Sequence, residues 1–216
     1  MALATVVVLI ALSRSLPSTQ MILALQFVAV LLHQYEEFGK PGGAPLVMNL
    51  ALRKSPPDLA RRYPLNQNSA MISNVGVVYL LYFSAAFLFP GMTWFGLAIS
   101  LFSLFQIVIH GVLTPRALGQ LYNPGLATTV LLLVPLSLAY IYQVTVNGHA
   151  GVLDWILAIA TFGGIAVVGV GFLTYVVLAS KDSPYPFAPE ELARFDVAQK
   201  LGRKPGAPLA ASKHAG

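Results

Sequence analysis

Cysteine is absent from the 216 residues, which excludes disulfide frameworks, thiolate metal sites and cysteine nucleophiles together. Charge is scarce as well: 10% of residues are charged, against roughly 25% in a soluble domain. With 56% hydrophobic residues and a mean hydropathy of +0.72, the chain reads as an integral membrane protein. Its net charge of +5 gathers at Arg53-Lys54, at Arg61-Arg62 and in the C-terminal tail. That pattern points to leaflet orientation rather than nucleic-acid binding. No internal repeat is evident, and the length suits one compact bundle.

The fold class expected is all-α, a polytopic transmembrane helix bundle. Five spans are read from the apolar runs: Met21–Phe38, Met71–Phe89, Trp94–Leu113, Leu126–Val146 and Val152–Ala179. A short sixth segment, Ala2–Leu12, falls below the roughly 20 residues a span needs. It reads as a signal-like apolar region, a tilted span or an interfacial segment, with cleavage least favoured because a basic start is missing. Residues 1–180 are expected to form the bundle and 181–216 a cytoplasmic polar tail, disordered at its Ala-, Pro-, Lys- and Gly-rich end. Amphipathic turns are expected around Leu192, Phe195 and Leu201.

Connections near Pro90-Gly91 and Asn147-Gly148-His149 hold no lysine or arginine, whereas Gly39–Ser69 holds Lys40, Arg53, Lys54, Arg61 and Arg62. Positive charge marks the cytoplasmic side, so this connection, Thr114–Gly125 and the C-terminus are placed inside. Within it, Gly39 to Pro45 reads as a turn and Pro56 to Tyr63 as a short interfacial helix. Pro135 is expected to kink the fourth span, and Gly163, Gly164, Gly169 and Gly171 to permit close packing of the fifth.

What is present, against this apolar background, is His33-Gln34-Tyr35-Glu36-Glu37 at the end of the first span. An isolated charge in lipid costs at least ~2.5–3.5 kcal/mol, so such groups usually face a bundle interior or a watered cavity. The topology brings further polar residues to the same depth: Asn74 starting the second span, Gln106 and His110 ending the third, and Tyr122-Asn123-Pro124-Gly125 opening the fourth. His33 and Glu37, one turn apart, could hold one ion with His110 as third ligand. Two histidines and one carboxylate form a catalytic zinc set with an open position, and the spacing is analogous to the His-x-x-Glu-His zinc motif, with a glutamate at the second histidine position. Glu36 would act as general base or orient a histidine. Without a metal, the same groups suit proton transfer, a glutamate as acid and a histidine as relay. Asn74 serves either as an orienting group or as a bridge between helices. Tyr122 to Gly125 reads as a helix start, Asn123 at the cap and Pro124 first, or as a helix N-terminus that receives an anion.

The order His33-x-x-Glu36-Glu37, then His110, then Tyr122-Asn123-Pro124-Gly125, resembles the bacterial family of multi-pass membrane proteins named for its HXXEE motif. The resemblance spans roughly residues 21 to 145. It supports this choice of site residues and implies an enzyme-like core in a bacterial cytoplasmic membrane, without naming a substrate. The function expected is an intramembrane enzyme acting on a membrane lipid or hydrophobic small molecule by metal-assisted hydrolysis or acid–base chemistry. Its catalytic residues would be Glu36, His33, His110, Asn74, Tyr122 and Asn123, and its metal, a divalent ion such as zinc, would sit on His33, Glu37 and His110. The alternatives are a proton- or cation-coupled transporter or ion-binding membrane protein using the same groups, and a structural or chaperone-like membrane subunit for which the cluster is incidental.

Overall fold

The computed structural model describes residues 16–202, and among these every regular element is helical. Ala2–Leu12 and the end of the tail lie outside the described residues. Helix α1 is Ser18–Phe38. Helix α2 is Ala44–Leu46 continued by a π-helical Val47–Leu52. Four long helices follow, α3 Gln67–Leu88, α4 Thr93–Leu118, α5 Leu126–Val146 and α6 Val152–Val177, and these four are long and apolar enough to cross a membrane. The five spans expected from the apolar runs therefore reduce to four on that criterion. Helix α1 differs for a physical reason. Gln20, Gln26, His33, Gln34, Glu36 and Glu37 lower its hydropathy, and about half of it is buried among its neighbours.

The five long helices close a ring in the order α1, α3, α6, α4, α5, each packed on the next and α5 returning to α1. Polar side chains stitch the ring internally, as buried groups in a membrane helix must find partners. Gln26 donates to Ser100 at 3.0 Å, and the Tyr82 and Ser103 hydroxyls pair at 2.6 Å. The closest approach involves Gly96, where a Cβ would meet the Tyr140 ring, Cε1 2.8 Å away. In α6, by contrast, Gly163 and Gly164 meet nothing within 4 Å and only Gly169 faces another helix, at Val77. The packing role expected of that glycine set falls mostly to Gly96. Pro135 lies just after a π-helical stretch, Thr129–Leu133. Widening there accommodates the proline's missing donor and its clash with the preceding turn.

The basic end of the ring is roofed by the α1–α3 connection. The helix expected at Pro56–Tyr63 is instead a run of turns around the buried Ala60. Asn49, buried on α2, organises it by donating to the Ala60 and Leu65 carbonyls, each at 2.9 Å, and accepting from Leu65 N at 2.9 Å. These bonds hold the segment as turns by satisfying its backbone from a side chain. Against this roof pack two short helices, α7 Pro189–Leu192 and α8 Val197–Lys200, through Phe187, Leu192 and Val197. The Asn66 side chain caps α3 by accepting from Ser69 N at 3.0 Å, and it donates to Leu178 O just beyond α6 at 3.0 Å. The last turns of α1, α4 and α6 and the first turns of α3 and α5 thus share one end of the bundle.

Candidate functional site

Helix α1 carries three ionisable residues into that end. His33 and Glu36 are buried and Glu37 is half-buried. The two glutamates point to different partners. Glu36 reaches the first turn of α5, where its carboxylate accepts from Ala127 N at 3.1 Å, Thr128 N at 2.8 Å, Thr128 Oγ1 at 2.6 Å and the Tyr122 hydroxyl at 3.1 Å. A helix start leaves its first amides without partners and carries partial positive charge. Here the residue at the cap position is Gly125, with φ +100, which has no side chain to offer. Glu36 therefore caps α5 from another helix.

Asn123, expected at the cap of α5, does something else. Fully buried, it donates through Nδ2 to the His110 carbonyl at 2.7 Å and to the Leu121 carbonyl at 3.2 Å. Both partners are acceptors, so the amide orientation is fixed and Oδ1 faces His110 Nδ1 at 2.9 Å. That oxygen only accepts, which places the imidazole proton of His110 on Nδ1.

The same reasoning fixes His33. Thr128 Oγ1 gives its proton to Glu36 and Thr129 Oγ1 gives its proton to Gly125 O at 2.7 Å. Both hydroxyls then present lone pairs to His33 Nδ1, at 3.0 and 3.4 Å, so Nδ1 carries the proton. The two rings meet edge to face, centroids 4.9 Å apart at 88°. Their Nε2 lone pairs turn to the same carboxylate. Glu37 Oε1 lies 3.4 Å from His110 Nε2 and 3.9 Å from His33 Nε2, and the ligand atoms of the three residues all lie within 4.8 Å of one another.

Three electron-pair donors this close repel one another unless a proton or a metal ion lies among them. Tetrahedral zinc with bonds near 2.0–2.1 Å would space its nitrogen and oxygen ligands by about 3.3 Å. The His110–Glu37 separation already matches, and the others need side-chain adjustments of an ångström or so. The cluster opens onto a cavity of about 520 Å³, within the usual size range for small-ligand sites. Gln34, Asn74 and Gln106 line it too, and Gln34 donates to Asn74 Oδ1 at 3.1 Å. Of the residues singled out from the sequence, His33, Glu37 and His110 therefore meet at one point and Asn74 lines the same cavity. Tyr122 and Asn123 stand behind the cluster, on Glu36 and His110.

The family model described as "Protein of unknown function with HXXEE motif" matches residues 24–140, more than half of the chain. The chain belongs to the HXXEE family. No curated protein and no solved structure matches it. In this HXXEE protein the matched segment contains every side chain of the cluster and its supports, from His33 to Thr129, and ends within α5.

Thr128, Thr129 and Gly125 escaped the sequence reading as site residues. A threonine pair inside an apolar helix gives no periodic signal, and Gly125 read as part of a helix start or of a helix N-terminus that receives an anion, without a steric role of its own. Its role is steric: a Cβ there would meet the His110 ring, with Nδ1 2.7 Å and Nε2 2.9 Å away. Gly125→Ala combines that clash with a left-handed φ and is expected to destabilise the HXXEE protein by at least about 2 kcal/mol, read as a lower unfolding midpoint in detergent. An unchanged midpoint would show that the ring does not pack there. Desolvation of the Tyr122 hydroxyl, and after it the Glu36 charge, holds that phenol above its usual pKa. It stays a hydrogen-bond donor throughout the neutral range.

Proposed function

We propose that this protein is an intramembrane metal-dependent enzyme that acts on an amphiphilic small molecule by metal-assisted hydrolysis. In this reading α1 crosses the bilayer with the four apolar helices, and the basic end faces the cytoplasm, following the distribution of lysine and arginine. One observation carries the proposal: His33, His110 and Glu37 aim three lone pairs at one point on the wall of a cavity, with both histidine tautomers fixed from behind. An acceptor that takes the second ring N–H and so sets the tautomer is the usual support of a metal-binding histidine.

His33 Nε2, His110 Nε2 and Glu37 Oε1 would hold the ion and leave a coordination position open toward the cavity. A divalent ion there supplies Lewis acidity to a substrate oxygen and acidifies water. Glu36 fits the orienting role better than that of general base. Its four donors occupy the roughly four lone-pair positions of a carboxylate, and it acts on His33 through Thr128. Asn74 and Gln34 are placed to hydrogen-bond a substrate in the cavity. The cluster lies about one and a half turns from the end of α1, roughly 7–8 Å at 1.5 Å per residue, a depth suited to chemistry near a lipid head group.

A transporter would want ionisable groups at the opposite end as well. There Asp154 accepts from Gly151 N at 2.9 Å and caps α6, which favours the enzyme reading. The test is elemental analysis of protein purified in detergent and offered zinc, manganese and iron(II). About one divalent ion per chain, removed by chelation, is expected. Failure of every metal to bind would sink the metal-dependent reading and leave proton transfer between His110 and Glu37 as the chemistry of the cluster.

A further inference from the structure

One ionised side chain lining the cavity has no part in the cluster. Arg53, at the end of α2, is exposed yet lines the same cavity as His33, Glu37 and His110, which puts it at the mouth. Its guanidinium carbon lies 4.1 Å from the centroid of the Tyr175 ring on α6. Stacking of this kind covers a face of the guanidinium and leaves the N–H donors along its edge free. Among the described residues those donors have no hydrogen-bond partner and no carboxylate within ion-pair distance; the two His–carboxylate contacts there both involve Glu37.

Charge balance sets the sign of the ligand. The three lone pairs of the cluster require a cation. A proton leaves Glu37 and the histidines neutral as a group, and a divalent ion leaves them at +1. Adding Arg53 makes the sum over the ionisable side chains that line the cavity positive in either state, while Glu36 stands behind the cluster on the first turn of α5. Apart from polar groups such as Gln34, Asn74 and Gln106, the cavity's remaining walls are mainly apolar, among them Val30, Val78, Phe102, Leu133 and Val170. A positive, fork-shaped donor at the aqueous mouth of an apolar chamber suits a molecule with an anionic head and a hydrocarbon body.

We infer that the ligand of this cavity is an anionic amphiphile, a phosphate or carboxylate head on a hydrocarbon chain, whose head is held by Arg53 stacked on Tyr175. The inference builds on the proposed function by naming its substrate class, and it concerns a different residue. Two parallel N–H···O bonds from one guanidinium recognise phosphate or carboxylate oxygens equally well, so the head-group chemistry is shared between these two anions. The chain then lies in the apolar chamber and carries the head-proximal bonds past the His/Glu cluster.

Native mass spectrometry of the full chain from an uncharged detergent provides the test, with dodecyl phosphate, laurate, dodecyltrimethylammonium and inorganic phosphate as probes. Dodecyl phosphate and laurate are expected to be retained, dodecyltrimethylammonium not, and inorganic phosphate at least about tenfold more weakly than dodecyl phosphate because it leaves the apolar walls empty. Arg53→Gln should weaken dodecyl phosphate about tenfold or more, with Arg53→Lys in between. Lys54→Gln, which removes the neighbouring cation outside the cavity, should leave binding unchanged. Equal binding by the cationic probe, an undiminished Arg53→Gln variant, or an equal loss in Lys54→Gln each overturns the inference. Inorganic phosphate binding as tightly as dodecyl phosphate overturns the amphiphile. If Arg53→Gln does not fold, the wild-type probe series and Arg53→Lys decide. Zinc binding with an indifferent Arg53→Gln sinks the inference alone; Arg53-dependent binding in a protein that takes no metal sinks the metal reading alone.

Discussion

Glu36→Ala is expected to lower the unfolding midpoint of the purified protein by about 6–12 °C, from a loss of about 3 kcal/mol. Four donors converge on this carboxylate, and hydrogen bonds to a charged acceptor contribute roughly 1.5–3 kcal/mol each, although they do not add. Removing the acceptor orphans the Ala127 and Thr128 amides at the start of α5 and takes a negative charge from a helix N-terminus. Water can replace part of the loss at this end of the bundle, which is why the figure stays near 3 kcal/mol rather than a sum over all four. The effect reaches the cluster as well. Thr128, released from Glu36, can turn its hydroxyl proton toward His33, and the tautomer fixed by that hydroxyl is no longer enforced. Metal affinity should therefore fall by about 10–100-fold, the usual consequence of losing a supporting partner. A midpoint within about 2 °C of wild type, a shift worth less than 1 kcal/mol, would show that Glu36 is not the cap of α5.

Glu37→Gln, one residue away, is expected to do the reverse. Glu37 receives no hydrogen bond from the described backbone and faces two histidine lone pairs at 3.4 and 3.9 Å. Its amide replacement keeps the volume, removes a negative charge, and offers donors to both Nε2 atoms. The metal-free fold should be unchanged or slightly more stable. Metal content should fall from about one ion per chain to none detectable, an affinity loss beyond the roughly 100-fold of a supporting residue. Full metal content in Glu37→Gln would exclude this carboxylate as a ligand. Adjacent residues on one helix thus separate along two measurements, the midpoint for Glu36 and the metal for Glu37.

The division between the two glutamates was half legible in the sequence. Spacing alone puts Glu37 one turn above His33, and alternating spans bring His110 to the same depth. The structure places those three together. The sequence could not show what occupies Glu36, because three of its four donors belong to a helix start more than ninety residues away whose cap position is a glycine. The cap read at Asn123 failed for the same reason: a buried imidazole with a free Nδ1 competes for that side chain more strongly than backbone amides that a carboxylate already serves. Helix positions were clear where apolar runs are long, as at Leu126–Val146, and unclear in the α1–α3 connection, where a single buried Asn49 decides between helix and turns. Arg53 was read only as a marker of leaflet side. Its place at a cavity mouth depends on the roof formed by α2 and on Tyr175 from the last long helix, a pairing that no local pattern announces.

The bond from Thr128 N to Glu36 spans 92 residues of sequence, and this has a consequence for biogenesis. At about 5–20 residues per second, the ribosome needs roughly 5–20 s to supply the first turn of α5 after α1 is complete. For that interval the most polar of the long helices has neither its carboxylate satisfied nor its place in the ring closed. Helix α1 must wait until its third successor among the long helices has begun to emerge. The α1 residues of the site are thus made well before the α5 turn that completes their environment.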